Sequence, residues 1–295
     1  MTTYDMIVIG GGLAGMNIAI TAKKKGIKKV VIIEKETELG GTLIDSKAIV
    51  NSDINMTGEA YRDLLMEEIV RLDIEVITKA TVLKIEEHNR VAYICGRKAI
   101  DKIYANTIVL ATGAREYRRS PLDLGGNHVD GIYTVDMARK MLQTVDHHIG
   151  GYALIVGCSE LERLADFKGR LEIIGIVGSG LTAVKNLKLC EYYYEGYEIV
   201  EVHGQRRVEY VTIRKGSYEL SIECDTVLFA DPLICDSILA KKSHIALNDN
   251  EAVIVDERYQ TSRNGIYACG RCINPEETMG DISKAVEIII DNIKE

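Results

Sequence analysis

Apolar runs and a glycine-rich stretch follow one another over the first 35 residues in the order strand, helix, strand. Residues 6–9 and 30–33 are short, continuously apolar runs, typical of strands buried on both faces of a parallel sheet. Between them, apolar positions at helical spacing predict a helix over residues 13–25, which ends in three lysines and is followed by Gly26. The second strand ends at Glu34. The pattern therefore predicts a βαβ unit.

The rest of the chain continues to alternate between the two periods. A helical pattern covers residues 57–72, and a closing helix begins at Asp281. We expect an antiparallel meander from the strand-like runs at 74–77, 80–86, 91–95 and 98–104, followed by a strand at 108–110. Further strands are predicted at 152–156, 171–177, 197–202, 207–214, 217–224, 226–229 and 252–255, with short helical stretches at 159–167 and 181–194. The alternation indicates an α/β protein.

Length and charge fit a globular protein of two domains. The chain has 295 residues, and a domain takes roughly 150. It carries 36 Lys and Arg against 44 Asp and Glu, a net charge of −8, which argues against nucleic acid or an anionic membrane as its partner. No apolar run reaches the ~18 residues of a membrane span, and no export segment opens the chain. We expect a cytoplasmic protein.

Seven cysteines form no regular framework, and one pair, Cys269 and Cys272, has CxxC spacing. A structural zinc site needs a second pair of ligands at matching spacing, which the sequence does not offer. The cysteines are therefore interpreted mainly as buried apolar thiols. For the CxxC pair, packed thiols are favoured and a redox disulfide is the alternative.

The glycines after the first strand have the spacing Gly10-x-Gly12-x-x-Gly15, and Glu34 closes the second strand. In a strand–turn–helix context this spacing is the fingerprint of a dinucleotide-binding βαβ unit. Gly10 permits the tight turn, Gly12 lets a pyrophosphate approach the backbone, and Gly15 lets the helix pack close to the sheet. Glu34 is placed to accept from a ribose hydroxyl. A glycine turn that merely joins strand and helix is the alternative, and the whole context argues against it.

Two more segments are typical of nucleotide-binding folds, residues 107–115 and residues 264–270. Together with the fingerprint, they resemble the thioredoxin-reductase-like class of FAD-dependent pyridine nucleotide–disulfide oxidoreductases, which have two dinucleotide-binding domains. The resemblance covers nearly the whole chain. Within the class, the sequence is similar to flavoprotein oxidoreductases associated with glycerol-3-phosphate dehydrogenase and to the flavin subunits of opine and proline dehydrogenases. The stretches that carry this similarity are 38–42, 111–116, 131–134, 222–226 and 261–270.

The resemblance implies an α/β fold of two Rossmann-like dinucleotide-binding domains, of the three-layer ββα type, with the second domain inserted into the first. The FAD-binding domain is then discontinuous, over residues 1–117 and 232–295, and residues 118–231 form a degenerate NAD(P)-binding-like domain. FAD is the implied cofactor, and no metal is expected. The implied cofactor-binding residues are Gly10, Gly12, Ala14, Gly15, Glu34, Lys35, Gly41, Thr42, Val82, Ala111, Thr112, Gly113, Gly270, Arg271 and Gly280.

The same resemblance gives several of these residues a place along the cofactor. The first glycine loop takes the pyrophosphate and Glu34 the adenosine ribose, while Gly41 and Thr42 pass near the flavin and Val82 near the adenine. Residues 111–113 lie near the nucleotide. The closing helix would point its positive end at the flavin, where it stabilises negative charge.

One departure from the family pattern concerns Arg271. The family usually has an aspartate after this glycine, and that aspartate holds the ribityl hydroxyl. Arginine cannot accept a hydrogen bond, but it can pair with a phosphate. We therefore expect FAD binding with altered contacts.

The middle domain departs further from the pattern. After the strand at 152–156, Gly157 is the single fingerprint glycine, and Glu160 and Glu162 stand where a pyrophosphate is expected. Like charges repel there. The sequence favours a domain kept as a scaffold or docking surface, and a working NAD(P) site is the alternative.

A competing frame exists in the same domain. The strand at 171–177 is followed by Gly178-Ser-Gly180-Leu-Thr-Ala183, which fits G-x-G-x-x-A. If this strand is the first of the domain, too little chain remains for the later strands. We favour the frame in which residues 152–156 are the first strand.

These observations lead to one main hypothesis about function. The chain is expected to be an FAD-dependent oxidoreductase, a flavoprotein subunit that passes electrons between FAD and a partner protein or substrate. The chemistry belongs to the cofactor, so no catalytic side chain is assigned. The alternatives are a self-contained NAD(P)H-dependent flavin or disulfide reductase, and a non-catalytic flavin-binding module in a larger assembly. We expect a partner subunit or a homodimer, no nucleic acid and no membrane span.

Overall fold

A computed structural model describes residues 3–294 with gaps at 52–54, 87–89, 97–99, 117–124, 127–128, 143–147, 160, 168, 183–184 and 186–187. The chain divides into two compact units. Unit 1 consists of Met1–Arg115 and Ile234–Glu295, and unit 2 consists of Glu116–Leu233. The chain thus leaves unit 1, builds unit 2 and then completes unit 1.

The strands are numbered in chain order. They are β1 (Thr3–Ile9), β2 (Val30–Ile33), β3 (Ile49–Asn51), β4 (Met56–Thr57), β5 (Glu75–Ile77), β6 (Thr81–Glu86), β7 (Val91–Cys95), β8 (Ile100–Leu110), β9 (Ala114–Glu116), β10 (Gly125–Gly126), β11 (Ile132–Thr134), β12 (Tyr152–Gly157), β13 (Glu172–Gly178), β14 (Tyr192–Glu195), β15 (Glu198–Gly204), β16 (Val208–Lys215), β17 (Tyr218–Glu223), β18 (Thr226–Ala230), β19 (Leu233–Cys235) and β20 (Ile266–Ala268). The helices are α1 (Leu13–Lys24), α2 (Gly58–Arg71), α3 (Val135–Leu142), α4 (Ile238–Lys242) and α5 (Met279–Lys294).

Unit 1 is built on a seven-stranded sheet whose parallel part has the order β5-β2-β1-β8-β20. All four residues of β2 are buried, as are residues 6–9 of β1, which explains why both sequences are continuously apolar. One face packs against α1, α2 and α5. The other face packs beneath a meander of β6, β7 and the first half of β8. The unit therefore has the expected three layers.

Two strand predictions for unit 1 are wrong. β5 is not part of the meander, because the chain returns from α2 in the direction of β2 and pairs with it in parallel, Ile32 opposite Val76. The described part of the run predicted at 98–104 and the run at 108–110 belong to one strand, β8, which begins at Ile100. Its first half pairs with β7 in antiparallel fashion and its second half with β1 in parallel, so polar residues in its middle do not end it.

Unit 2 repeats the parallel arrangement with a five-stranded sheet in the order β11-β18-β12-β13-β14. β12 occupies the central place that β1 has in unit 1, and β13 occupies the place of β2. The frame in which residues 152–156 are the first strand is therefore confirmed. A second sheet contains the antiparallel strands β15, β16 and β17, with β10 along its edge.

Three other predictions are corrected here. Residues 192–195 belong to β14 and not to a helix, because tyrosine favours strands and this run pairs with β13. The stretch predicted as helical at 159–167 contains a 3-10 helix over Leu161–Phe167 and no α-helix among its described residues. Instead of a strand at 252–255, Val253 and Val255 form isolated bridges.

The α/β fold class, two Rossmann-like units with the second inserted into the first, is confirmed. Within the described ranges, no helix combines the length and the apolar character that a membrane crossing needs.

Asp225 holds the start of β12 in unit 2. Its carboxylate accepts from the backbone N–H groups of Gly151 (2.8 Å) and Tyr152 (2.9 Å) and from the Thr226 hydroxyl (2.8 Å). Burial raises the pKa of Asp225, but these hydrogen bonds and the Arg207 charge outweigh it, so the pKa is lowered overall.

We expect Asp225→Ala to lower the free energy of unfolding by about 2–4 kcal/mol at pH 7, because the backbone donors lose their acceptor. Since the folded-state pKa is depressed, the wild type loses the part of this contribution that depends on the ionised carboxylate as the pH falls below about 4. In urea titrations, the difference in the free energy of unfolding between the two proteins is therefore expected to become smaller from pH 7 to pH 3. Asp249→Ala, at an exposed aspartate, is the control. Equal stability of Asp225→Ala and wild type at pH 7 would contradict this assignment.

Candidate functional site

The turn between β1 and α1 is closed by glycines that no other residue can replace. Gly10 has φ +105°, and a Cβ there would lie 2.2 Å from the backbone oxygen of Ala111. A Cβ on Gly15 would lie 1.9 Å from the backbone oxygen of Gly10. The ends of β1 and β8 and the first turn of α1 therefore meet at backbone contact distance, as the glycine spacing predicts.

Gly12 behaves differently, because a Cβ there would meet nothing within 4 Å. It is the N-cap residue of α1, and no side chain caps the helix. The N–H groups of the first turn, which includes Ala14, face an open space at the positive end of the helix dipole. This geometry suits an anionic group such as a pyrophosphate.

Glu34 lies at the end of β2 and is only 6% exposed. Its Oε2 accepts from the Gly11 backbone N–H (2.6 Å) and its Oε1 from the Glu36 backbone N–H (2.9 Å). Each carboxylate oxygen keeps a further lone pair for a ribose hydroxyl. The next residue, Lys35, is exposed and pairs with Asp236 at 3.3 Å.

Val82 lies in β6, and a backbone hydrogen bond just before this strand brings it close to Glu34. The Ala80 N–H donates to the Glu34 carbonyl (3.0 Å), and β6 begins at the next residue. The Val82 side chain is buried in the core between the sheet and the meander. A contact with an adenine would therefore use its backbone.

A second glycine pair lies against the first glycine loop. The Gly40 N–H donates to the Gly11 carbonyl (2.8 Å), and a Cβ on Gly41 would lie 3.2 Å from the Cα of Gly12. Thr42 is exposed in the 3-10 turn that follows. The segment predicted to pass near the flavin thus adjoins the predicted pyrophosphate site.

The segment after β8 is tied to the same region. The Ala111 N–H donates to the Ile9 carbonyl (2.8 Å). The Thr112 hydroxyl donates to the Asp236 carbonyl (2.7 Å), and the Asp236 N–H donates to the Gly113 carbonyl (2.9 Å). Residues 111–113 therefore form a fixed turn beside Gly10.

The C-terminal segment reaches the site through Gly270. It has φ +79°, and a Cβ there would lie 2.8 Å from the Cβ of Ala14 in α1. Arg271 follows and is half-buried. Gly280 lies exposed in the first turn of α5. At the start of this helix, the Thr278 N–H donates to the Asp281 carboxylate (3.1 Å) and the Asp281 N–H donates to the Thr278 hydroxyl oxygen (3.3 Å).

The structure thus gathers both glycine loops, Glu34, the turn at 111–113 and Gly270 around the N-terminus of α1. Lys35, Val82 and Gly280 lie on the adjoining elements. All of these residues belong to unit 1.

Cys269 and Cys272 are free thiols and fully buried. The Cys272 Sγ donates to the carbonyls of Cys269 (3.2 Å) and Leu110 (3.5 Å). Burial raises the pKa of Cys272 to about 12 and that of Cys269 well above its ordinary value. Thiols protonated at neutral pH are poor nucleophiles, which supports packed thiols over a redox pair.

Sequence reasoning missed one residue of this region, Glu277. It is 7% exposed, and its Oε2 has no hydrogen-bond partner among the residues that the structure describes. A single glutamate in the loop before α5 gives no sequence signal, because most such residues are exposed.

In unit 2, the glycine at the end of β12 approaches the neighbouring strand as closely as Gly10 does in unit 1, but a 3-10 helix follows it in place of an α-helix. Gly157 has φ +100°, and a Cβ there would lie 2.4 Å from the backbone oxygen of Ala230, as Gly10 does with Ala111. The following segment, however, contains the seven-residue 3-10 helix Leu161–Phe167 where unit 1 has the twelve-residue α1. Glu160 and the Glu162 side chain lie outside the described residues.

The backbone N–H groups in the loop after β13 already have an acceptor. The backbone N–H groups of Gly180 and Leu181 each donate to the Glu195 carboxylate at 2.8 Å. Backbone donors that could hold a phosphate therefore already hold a carboxylate. Ala183, part of the competing frame, lies outside the described residues.

Comparison with known proteins identifies the family. The model of the pyridine nucleotide-disulphide oxidoreductases matches residues 4–186 and 193–288. The chain belongs to this family. The family expected from the sequence is therefore confirmed.

Among relatives of this chain, a soluble pyridine nucleotide transhydrogenase from Pseudomonas syringae pv. tomato is 24% identical over 92% of this chain and 66% of its own length. The chain therefore spans slightly less than two thirds of that relative. Thioredoxin reductase from T. acidophilum has a TM-score of 0.81 at 18% identity, with all of both chains covered. L-proline dehydrogenase from P. horikoshii has a TM-score of 0.76 at 18% identity, with 99% of this chain and 56% of that chain covered. These likenesses of structure show the fold.

Proposed function

We propose that unit 1 binds FAD and that the protein passes electrons between this flavin and a partner protein or substrate, without using the family's usual NAD(P)H site in unit 2. One observation carries the proposal: α1 opens its uncapped N-terminus at Gly12, whereas the corresponding segment of unit 2 forms a seven-residue 3-10 helix.

The residues of unit 1 fit a dinucleotide. Gly12 leaves a cradle that a Cβ would fill, and the first turn of α1 offers backbone N–H groups to a pyrophosphate. Glu34 is held by two backbone donors, so its carboxylate is fixed for a ribose hydroxyl. When bound, FAD supplies the hydride and single-electron chemistry, and the protein supplies binding and orientation.

The residues of unit 2 fit a second dinucleotide poorly. The 3-10 helix Leu161–Phe167 is short and gives little dipole, so it offers weak attraction to a pyrophosphate. Glu195 places negative charge on the loop amides where the ribose end of NAD(P) would lie. We therefore propose that unit 2 serves as a scaffold or as a docking surface for a partner subunit or a second copy of the chain.

A self-contained NAD(P)H-dependent reductase is the second candidate. It is favoured by the family, which is linked to pyridine nucleotides, and by the relatives named pyridine nucleotide transhydrogenases. The site geometry of unit 2 argues against it.

Anaerobic titration of the flavin-loaded protein separates the two candidates. We expect dithionite to bleach the flavin absorbance fully, whereas equimolar NADH or NADPH leaves it unreduced over minutes. The reason is that the described segment after β12 forms a 3-10 helix, where a nicotinamide nucleotide would need the N-terminus of an α-helix. Rapid bleaching by either pyridine nucleotide would overturn the proposal and establish the second candidate.

A further inference from the structure

A buried carboxylate with an unused oxygen lies in the loop before α5. Glu277 is 7% exposed, and its Oε2 has no hydrogen-bond partner within the described ranges. An unsatisfied buried acceptor is costly, and each one calls for an explanation such as a ligand. The adjacent Glu276 is exposed, so burial is specific to one of two neighbouring glutamates.

Glu277 is connected to the dinucleotide site through Gly270. The Gly270 backbone N–H is close enough to the Glu277 carboxylate to lower its pKa, and a Cβ on Gly270 would lie 2.8 Å from the Cβ of Ala14 in the first turn of α1. The other buried acid at this helix end, Glu34, is bound to Gly11. Two buried carboxylates are thus attached to the two loops that meet the N-terminus of α1.

FAD carries hydroxyl groups on both sides of its pyrophosphate, on the adenosine ribose and on the ribityl chain. Glu34 is the acceptor proposed above for the adenosine ribose. We infer that Glu277 is the acceptor for a hydroxyl of the ribityl chain, so that its free oxygen is satisfied when the flavin is bound. This inference rests on the proposed function, and it assigns the acceptor role to a residue outside the predicted site.

The ionisation of Glu277 is linked to this role. Burial raises its pKa to about 7, the Asp281 charge adds to the shift, and the Gly270 hydrogen bond opposes it. Within the described part of the chain, its further titratable neighbours are a tyrosine and three cysteines: Tyr259, Cys235, Cys269 and Cys272. Their pKa values are raised, so they are neutral near pH 7. Asp281 is the charged neighbour.

A hydroxyl donor favours the ionised carboxylate. Flavin binding is therefore expected to release a proton from Glu277 near pH 6–7, and the affinity of the wild type should rise as the pH increases through about 7. If FAD instead required a protonated Glu277, its affinity would fall as the pH increases through about 7.

The test compares Glu277→Gln with the wild type and with Glu276→Gln, which makes the same chemical change at the exposed neighbour. We expect Glu277→Gln to raise the Kd for FAD by about tenfold to a hundredfold, as for the loss of a charge-assisted hydrogen bond. It should also abolish the proton release, measured by calorimetry in buffers of different ionisation enthalpy. ADP lacks the ribityl chain, so its Kd should be unchanged. Glu276→Gln should match the wild type throughout.

A second readout excludes a purely structural role. Because the folded-state pKa of Glu277 lies above the ordinary value of about 4.3, its ionisation lowers the stability of the flavin-free protein as the pH rises from there to about 7. Flavin-free Glu277→Gln should therefore be at least as stable as the wild type at pH 8. Lower stability at pH 8 would assign Glu277 a structural role and overturn the inference.

The outcomes separate this inference from the proposed function. If the wild type binds FAD and Glu277→Gln binds it with the same Kd and the same proton release, the inference fails and the proposed function stands. If ADP binding weakens as much as FAD binding, the acceptor does not serve the ribityl chain. If the folded wild type binds no FAD, the proposed function itself fails.

Discussion

Gly12→Val is expected to remove FAD binding while leaving the fold intact. A Cβ at Gly12 would meet nothing within 4 Å, and the backbone of Gly12, with φ −79° and ψ −167°, is extended and open to valine. The side chain instead fills the space in front of the first turn of α1. We expect the Kd for FAD to rise by about a hundredfold or more, since a pyrophosphate then loses two charge-assisted bonds to backbone N–H groups.

The experiment must distinguish loss of FAD affinity from loss of stability. Valine is a poor N-cap residue, so a stability loss of up to about 1 kcal/mol is expected in the flavin-free protein. Gly96→Val is the matched control, because a Cβ on Gly96 also meets nothing within 4 Å and that glycine directly follows β7. Flavin titrations and thermal unfolding of the three proteins give the answer. Unchanged FAD affinity in Gly12→Val would show that no phosphate lies at this turn.

Gly10→Ala is expected to damage both the fold and the cofactor site. The φ of +105° is unfavourable for alanine, and the Cβ would lie 2.2 Å from the backbone oxygen of Ala111. Backbone strain and overpacking together should lower the free energy of unfolding by about 3 kcal/mol or more. The atoms that the Cβ would meet belong to the backbone, which cannot move aside as a flexible side chain can. β1 and β8 must separate at their ends, which moves the first turn of α1.

Gly157→Ala provides the corresponding change in unit 2. Its φ of +100° and its 2.4 Å approach to the backbone oxygen of Ala230 predict a similar loss of stability. We expect Gly157→Ala to keep one FAD per folded chain and Gly10→Ala to lose it. The measurement is the urea midpoint by circular dichroism together with the flavin content of the folded fraction. Loss of flavin in Gly157→Ala alone would place the cofactor in unit 2.

The sequence was sufficient for the elements around the first glycine loop. The buried strands β1 and β2 and the helix between them carry strong local patterns, so their order and the closeness of Gly10 and Gly15 follow from the residues, although β1 begins three residues before the predicted run. Glu34 was also predictable, since it lies at a fixed place after the second strand.

Other features depend on pairing that no local pattern encodes. β8 serves two neighbours in opposite senses, and the tyrosines of β14 become a strand through their pairing with β13. The same limit applies to Glu277, because no local pattern distinguishes this buried glutamate from its exposed neighbour Glu276. Local propensity is a weak guide where tertiary contacts decide the conformation.

Reconstitution of the flavin-free protein with FAD tests the central claim most directly. The account predicts that the folded chain binds one equivalent of FAD with a shifted visible spectrum, and that AMP and ADP compete for the site because Glu34 and the Gly12 turn hold this half of the cofactor. A chain that is folded by circular dichroism and thermal unfolding, yet binds no FAD at micromolar concentration, would contradict it.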